Sequence, residues 1–152
     1  MKKYFNHLIK LLSNRDSGNN ITNSPSTNST NKTKELFNII SLPENELNKR
    51  KIGKLVKATL PLILSENLIT ESEIINLQKE DYCKITLDMN YPILKKVDNK
   101  LSIIENRTVN DHTRYYAGVF KNNGEEYLIS SEWYERNLED YIKWLKRRVK
   151  KF

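Results

Sequence analysis

Cysteine is nearly absent from this sequence, since Cys83 is the only one in 152 residues. An internal disulfide therefore cannot form, and a zinc site built on several thiolates is excluded. Histidine is almost as scarce, with His7 and His112 far apart in the chain. A nucleophilic Cys–His pair would have to combine Cys83 with one of these two histidines, and neither spacing matches a known catalytic signature. We therefore expect Cys83 to be a small buried residue in a protein of the reducing cytoplasm.

Glycine and long apolar runs are also lacking. The four glycines do not have the spacing of a phosphate-binding loop, and no apolar run has the length of a membrane span. The apolar residues after Met1 are interrupted by Asn6, His7 and Lys10, and no small-residue cleavage site follows. This pattern favours an amphipathic helix over an export signal, so we expect no membrane association.

One acidic motif has the spacing of a metal-dependent nuclease. Asp98–Asn99–Lys100 follows Asp88 in the chain, but triplets of this kind often arise by chance, and these residues lie in a segment predicted to be a loop. The sequence therefore predicts no catalytic residue, no metal ligand and no cofactor, and we expect a protein that is not an enzyme.

Positive charge is concentrated in three places. The net charge is +7, of which residues 1–34 contribute +5 and residues 141–152 contribute +6, whereas residues 35–140 carry −4. An internal basic cluster at residues 49–57 stands out from this mildly acidic middle part. Such a distribution favours a polyanionic partner, although the alternative is that the charge only keeps the protein soluble.

The N-terminal part is predicted to lie apart from the folded domain. Residues 1–13 have apolar side chains at helical spacing and predict a tethered amphipathic helix. Residues 14–33 contain six Asn, four Ser and four Thr and predict a disordered linker, because they bury too little apolar surface to offset the entropy of ordering. Residues 34–152 are then the globular domain.

The domain is predicted to start with helices. After a short helix at 35–40, Ser41, Pro43 and Glu44 resemble a helix start, and an apolar stripe continues to Leu64 with a kink or break near Pro61. Residues 70–73 form a capping box before a helix, and a further short helix covers 82–87. Residues 91–94 are expected to be extended, and residues 98–112 to be a loop or a weak strand.

The best strand signal lies between residues 113 and 130. Strands at 114–120 and 126–130 flank a hairpin turn at 121–124, and Ser131 is expected to cap a long last helix. The predicted fold class is α+β, mainly helical and winged-helix-like, with one β-hairpin and a long C-terminal helix. A helical α+β domain with an accessory hairpin, unrelated to DNA-binding folds, is the alternative.

Basic residues on this predicted framework are the candidate nucleic-acid contacts. Cations of the internal cluster would bind phosphates. If the helices at 70–77 and 82–87 form a helix–turn–helix pair, Lys84 on the second helix would face base edges. The hairpin and the last helix would add further contacts. Acidic residues near Lys84 oppose this arrangement. The tyrosines of the hairpin could stack on bases, but packing on Trp133 and Trp144 is favoured. The full candidate set is Lys49, Arg50, Lys51, Lys54, Lys57, Lys84, Arg114, Lys121, Lys143 and Arg147.

Two stretches also carry a resemblance to a known type of module. They are Leu68–Thr70 with Ile74, Leu77, Tyr82–Cys83 and Pro92–Leu94, and Arg114–Tyr116 with Gly124–Asn137 and Trp144–Leu145. About residues 47–146 resemble an uncharacterised bacterial accessory or recognition module found near restriction or mobile-element functions. The resemblance implies a recognition domain and carries over no catalytic residue.

The expected function is therefore non-catalytic nucleic-acid binding, with DNA as the expected partner. The alternative is a protein-interaction or oligomerisation domain in which the amphipathic helix at residues 1–13 docks on a partner or on a second copy.

Overall fold

The computed structural model describes residues 26–150, so the predicted helix at 1–13 and residues 14–25 of the predicted linker lie outside it. The described residues form an α+β fold in which helices predominate. The elements in chain order are α1 (Ser26–Ile40), α2 (Glu44–Leu47), α3 (Ile52–Ser65), α4 (Glu71–Asn76), α5 (Glu80–Leu87), β1 (Leu94–Lys96), α6 (Ile103–Arg107), β2 (Thr108–Val109), β3 (His112–Thr113), β4 (Tyr115–Asn122), β5 (Glu125–Ser130), a 3₁₀ turn (Glu135–Asn137) and α7 (Leu138–Arg148).

The main sheet has three antiparallel strands in the order β1-β5-β4. β4 and β5 pair across a two-residue turn, where Asn123 and Gly124 both have positive φ, as such turns require. Both strands reach closer to the turn than predicted. β1 was expected only as an extended segment, but Leu94 pairs with Ile129 and adds the third strand. β2 and β3 form a separate two-stranded ribbon.

The core lies between one face of this sheet and the helices. α3 contributes its apolar stripe, with Leu55, Leu60 and Ile63 fully buried, and packs on α1 and on β4. α7 closes the core from another side with Tyr141, whose ring is stacked with Trp144 at 5.6 Å and meets Trp133 edge-on at 5.2 Å.

α1 begins earlier than predicted. The expected helix covered residues 35–40, but α1 starts at Ser26, so residues 26–33 of the predicted linker are helical. Leu36, Ile39 and Ile40 are buried against the core. Once these buried residues have fixed one helical turn, extending the helix by a further residue costs little free energy, because forming the first turn is the unfavourable step.

The expected continuous helix after Ser41 is two helices. Ser41 does not start it, since its hydroxyl donates to the Phe37 carbonyl at the end of α1; α2 starts after Pro43 and lasts one turn. A break precedes α3, which then continues through Pro61, so of the predicted kink or split the split does not occur. An interior proline costs about 3 kcal/mol. Burial of Leu60 and Ile63 on either side contributes about 1.5–3 kcal/mol per side chain and offsets that cost.

The predicted capping box at residues 70–73 forms only in half. The hydroxyl of Thr70 accepts a hydrogen bond from the Glu73 amide at 3.2 Å, as an N-cap should. The Glu73 side chain does not return the bond to the cap. It is buried and accepts hydrogen bonds from the Tyr82 hydroxyl and from Trp144 Nε1.

The segment at 98–112 is more ordered in structure than predicted. It contains α6, which opens with a complete capping box between Ser102 and Glu105, a signal that is present in the sequence. The buried Asn106 side chain accepts from the Asp98 amide and donates to the carbonyls of Asp98, Leu101 and Ser102.

The last helix starts later than predicted. Ser131 does not cap it, because residues 131–134 have no regular secondary structure and the 3₁₀ turn precedes α7. The Asn137 side chain holds the segment before α7 in place through three hydrogen bonds. Its side-chain oxygen accepts from the Tyr134 amide, and its side-chain nitrogen donates to the carbonyls of Leu87 and Asp88 at the end of α5.

Candidate nucleic-acid interface

The residues at 49–57, called here the basic segment, carry charge of one sign only. They include five Lys or Arg, and no Asp or Glu occurs between Glu46 and Glu66. Lys49 pairs with Glu46 at 3.0 Å. Within residues 26–150, the other four cations of the basic segment form no ion pair. Their charge is therefore available to an external anion.

The sequence of α3 forces these cations outward. Ile52, Leu55, Val56 and Leu60 are buried at helical spacing, so the residues between them must face solvent. Lys51, Lys54 and Lys57 recur every three residues, which places them along one side of the helix, and all three are exposed.

A groove lies beside this basic face, between α3 and β4, and is called here the α3–β4 groove. Its volume is about 480 Å³ and its lining is mostly apolar. The Lys57 ammonium lies over the Tyr116 ring, 4.7 Å from the ring centroid. Burial raises the pKa of the Tyr116 hydroxyl, so the phenol is neutral at physiological pH. The lining residues are Val56, Lys57, Pro61, Tyr116, Ala117, Phe120 and Ile129.

The shape of β4 makes this groove. Pairing with β5 is irregular between Tyr115 and Val119, where β4 has more residues than its partner, and a bulge of this kind re-aims side chains. Asn122 fixes the far end of the strand, because its side-chain nitrogen donates to the Leu64 carbonyl of α3 at 2.9 Å and to Asn67 Oδ1 at 2.8 Å.

Lys121 is exposed but does not belong to this surface. Phe120 packs against the core and Asn122 bonds to α3. Neighbouring residues of a strand point to opposite faces, so Lys121 projects from the face away from α3. The structure therefore separates Lys121 from the basic segment.

Arg114 was expected to face solvent, and it does not. Its side chain is 21% exposed and lies 4.7 Å from the Tyr91 ring centroid, and Nη1 pairs with Glu132 at 3.3 Å. Nε is buried, and in residues 26–150 it has no hydrogen-bond partner. Arg114 thus joins the start of β4 to two other segments, and its exposed part is small.

Lys84 is exposed on α5, but its ammonium is engaged. It pairs with Asp88 at 2.7 Å and donates to Asn90 Oδ1 at 3.1 Å. The same contact holds the pKa of the Asp88 carboxyl below its usual range. Arg136 also pairs with Asp88, so two cations share this carboxylate.

The two remaining candidates, Lys143 and Arg147, lie on α7. Lys143 pairs with Glu139 at 2.9 Å, and this partner raises its pKa. Arg147 is exposed and lines a small cavity of about 110 Å³ with Lys143 and with Thr86 of α5. Another cation of the basic tail, Lys146, donates to the carbonyls of Ile40 and Leu42 and so caps the end of α1.

A larger cleft of about 750 Å³ lies along β1 and next to the β2–β3 turn. The two lysines in its lining already have partners within the protein. Lys95 donates to the Asn106 carbonyl at 2.6 Å, and Lys96 pairs with Glu125 at 2.9 Å. With Glu80 also in its lining, this cleft has no excess of positive charge to offer.

The tyrosines of β4 and β5 are mostly buried, as packing requires, but the ring that contacts Trp133 and Trp144 is that of Tyr141. Tyr115 and Tyr127 are buried, and only Tyr116 stays half-exposed. The sequence reasoning did not single out Tyr116 as part of a groove with α3. The signal that could have revealed it is the coincidence of a glycine, Gly118, with an aromatic strand, since glycine in a strand often marks a bulge.

Other types of site find no support in the described part of the chain. No group of three or more His, Cys, Asp or Glu side chains in residues 26–150 is arranged to hold a metal ion. No helix in that range is both long enough and apolar enough to cross a bilayer.

No protein-family model matches the sequence, and searches of curated proteins and of solved structures also returned no match.

Proposed function

We propose that this protein is a non-catalytic nucleic-acid-binding module, with DNA as the expected ligand, and that it binds phosphates through the basic segment. The observation that carries the proposal is the set of four cations at residues 50–57, on and just before one exposed helix face, that form no ion pair with any residue in the range 26–150, with no acidic residue between Glu46 and Glu66. Unpaired cations retain their full attraction for phosphate, and releasing the counterions of the polyanion supplies much of the binding free energy.

The winged-helix interpretation belongs to this proposal. In this proposal α4 and α5 would be the helix–turn–helix pair, and β4 and β5, which follow in the chain and pair with each other, would be the wing. In that arrangement α5 would read bases through Lys84. Because Lys84 is bound by Asp88 and Asn90, we assign the contacts to α3 and assign no base-reading role to α5. Phosphate contacts position a protein without reading sequence, so we expect weak sequence preference.

A salt titration tests the proposal. Labelled duplex and single-stranded DNA would be titrated with the full chain at several salt concentrations. Affinity should fall steeply as salt rises, with a slope of about 0.9 per phosphate contacted in duplex DNA. Changing Lys51, Lys54 and Lys57 together to Gln should lower that slope by about 2–3.

The matched control removes the same charge elsewhere. Lys79, Lys96 and Lys100 are also exposed lysines, and changing all three to Gln should leave most of the affinity intact. An equal loss in both triple variants would mean that net charge alone attracts the DNA. Absence of binding to either probe at low salt would contradict the proposal altogether.

A protein-interaction function is the second candidate. The segment expected to mediate it, residues 1–13, lies outside the described residues. One observation inside them favours it: Ile85 on α5 is 86% exposed, and Ile75 on the preceding helix is half exposed. Light scattering of the full chain, of a chain lacking residues 1–25 and of Ile85→Ser would test self-association. A monomer in all three cases would count against it.

A further inference from the structure

We infer that the α3–β4 groove takes an unpaired base, so that the protein prefers single-stranded over duplex nucleic acid. This inference rests on the proposed function and adds the class of nucleic acid. The basic segment alone would bind any polyanion, because phosphates are common to duplex and single strands. The groove beside it provides what only a single strand can use, namely an aromatic surface within reach of the phosphate-binding cations.

The aromatic ring in the groove and one cation of the basic segment are in direct contact. Lys57 is the last cation of the basic segment and also lies over the half-exposed Tyr116 ring at 4.7 Å. A strand whose phosphates follow Lys54 and Lys57 therefore brings its bases to the mouth of the groove. Binding proteins for single strands combine these two elements, a cationic track and aromatic rings on which bases stack.

The chemistry of the groove suits a base better than it suits a charged group. Val56, Pro61 and Phe120 line its walls, and no acidic residue is among its lining residues. An apolar cavity of about 480 Å³ with a cationic rim matches a flat, weakly polar ring attached to an anionic backbone. Bases inside a duplex are already stacked and paired, so they could enter only at the cost of unpairing.

The wall that carries Tyr116 is held in place. Asn122 ties the far end of β4 to α3 through the Leu64 carbonyl, and the pairs Tyr115–Ser130 and Val119–Leu128 hold β4 to β5 on either side of the bulge that contains Tyr116. Stacking on a ring that is already positioned loses little conformational entropy on binding. The ring can therefore act as a platform without a change in the backbone, once the Lys57 ammonium that lies over it moves to a phosphate.

The test compares two probes and three variants of the full chain. Fluorescence anisotropy would measure the affinity for an oligo-dT strand and for a duplex of equal length at fixed salt. Tyr116→Leu removes the ring and keeps an apolar side chain; it should weaken single-strand binding about ten-fold and leave duplex binding nearly unchanged. Tyr116→Phe keeps the ring and should retain the affinity.

Tyr134→Leu is the matched control. Tyr134 is also exposed, and a cation, Arg136, lies 5.4 Å from its ring centroid, but its hydroxyl donates to Glu132 and it is not among the residues that line the α3–β4 groove. This variant should bind both probes as the parent chain does. Thermal unfolding of every variant would establish that the fold is intact.

A second readout follows the base directly. An oligonucleotide carrying 2-aminopurine in place of one base should lose fluorescence when the parent chain binds it, and lose less with Tyr116→Leu. This readout does not depend on small differences in affinity between variants.

The outcomes separate this inference from the proposed function. Salt-dependent binding with equal affinity for both probes would overturn the inference and leave the proposed function standing. Unchanged single-strand binding in Tyr116→Leu would also overturn it and would point to another occupant of the groove, such as an apolar side chain of a protein. Absence of binding to both probes would overturn both.

Discussion

Trp144 Nε1 donates a 2.8 Å hydrogen bond to the carboxyl group of Glu73, a residue that is buried at the start of a different helix. The Tyr82 hydroxyl donates to the same oxygen. Three helices, α4, α5 and α7, therefore meet at one buried acceptor. A buried polar group is tolerable only when its partners are present, so each of these side chains depends on the other two.

Replacing Glu73 should destabilise the fold strongly. Glu73→Ala leaves the Tyr82 hydroxyl and the Trp144 indole without their acceptor and opens a cavity, and we expect a loss of about 2–4 kcal/mol in the free energy of unfolding. Urea unfolding followed by tryptophan fluorescence would measure it. Glu71 lies on the same turn but is exposed, so Glu71→Ala should cost about 0.5 kcal/mol or less. Equal effects of the two substitutions would contradict the buried role of Glu73.

Replacing Asn106 should loosen the segment before β4. Asn106→Ala removes an acceptor for one backbone amide and a donor to three carbonyls, and we expect a loss of about 2 kcal/mol. Hydrogen exchange should show faster exchange of amides within residues 98–113 than in α3. Asn99→Ala is the control, because Asn99 is exposed, and it should leave the exchange pattern unchanged.

Cys83 should be unreactive in the folded protein. It is buried, its thiol donates to the Leu77 carbonyl, and burial raises its pKa to about 11. Thiols react as thiolates, so both access and ionisation are blocked at neutral pH. A chromogenic disulfide reagent should react slowly with the native chain and rapidly once urea unfolds it. A native rate close to the unfolded rate would contradict the burial of this residue.

Alkaline pH should destabilise the fold. Burial and the hydrogen bond to Glu73 raise the pKa of Tyr82 to about 12, from the ordinary value of 10.0. Between these two values the unfolded chain releases a proton that the folded chain keeps, so stability is fully present below pH 10 and is lost as pH rises toward 12. Urea unfolding at several pH values would follow this loss. Tyr82→Phe should reduce the slope, and an unchanged slope would rule out a contribution of Tyr82.

Several features of this protein could be read from the sequence because they depend on neighbouring residues. The α+β class, the buried stripe of α3, the cap at Thr70 and the tight turn at Asn123–Gly124 all follow from patterns within a few positions of the chain. Helix periodicity, a capping oxygen and a turn with positive φ are local requirements, so a single stretch of sequence contains all the information they need. The outward direction of the lysines on α3 belongs to this group.

The remaining features depend on residues that are distant in sequence, and only the tertiary structure decided them. The direction of Glu73 toward Trp144 and the burial of Arg114 beside Tyr91 follow from the packing of separate segments. The α3–β4 groove is of the same kind, because Val56 and Tyr116 become neighbours only when β4 packs on α3. The sequence by itself determined that a basic helix would face solvent, and the packing of β4 against that helix decided that an aromatic groove lies beside it.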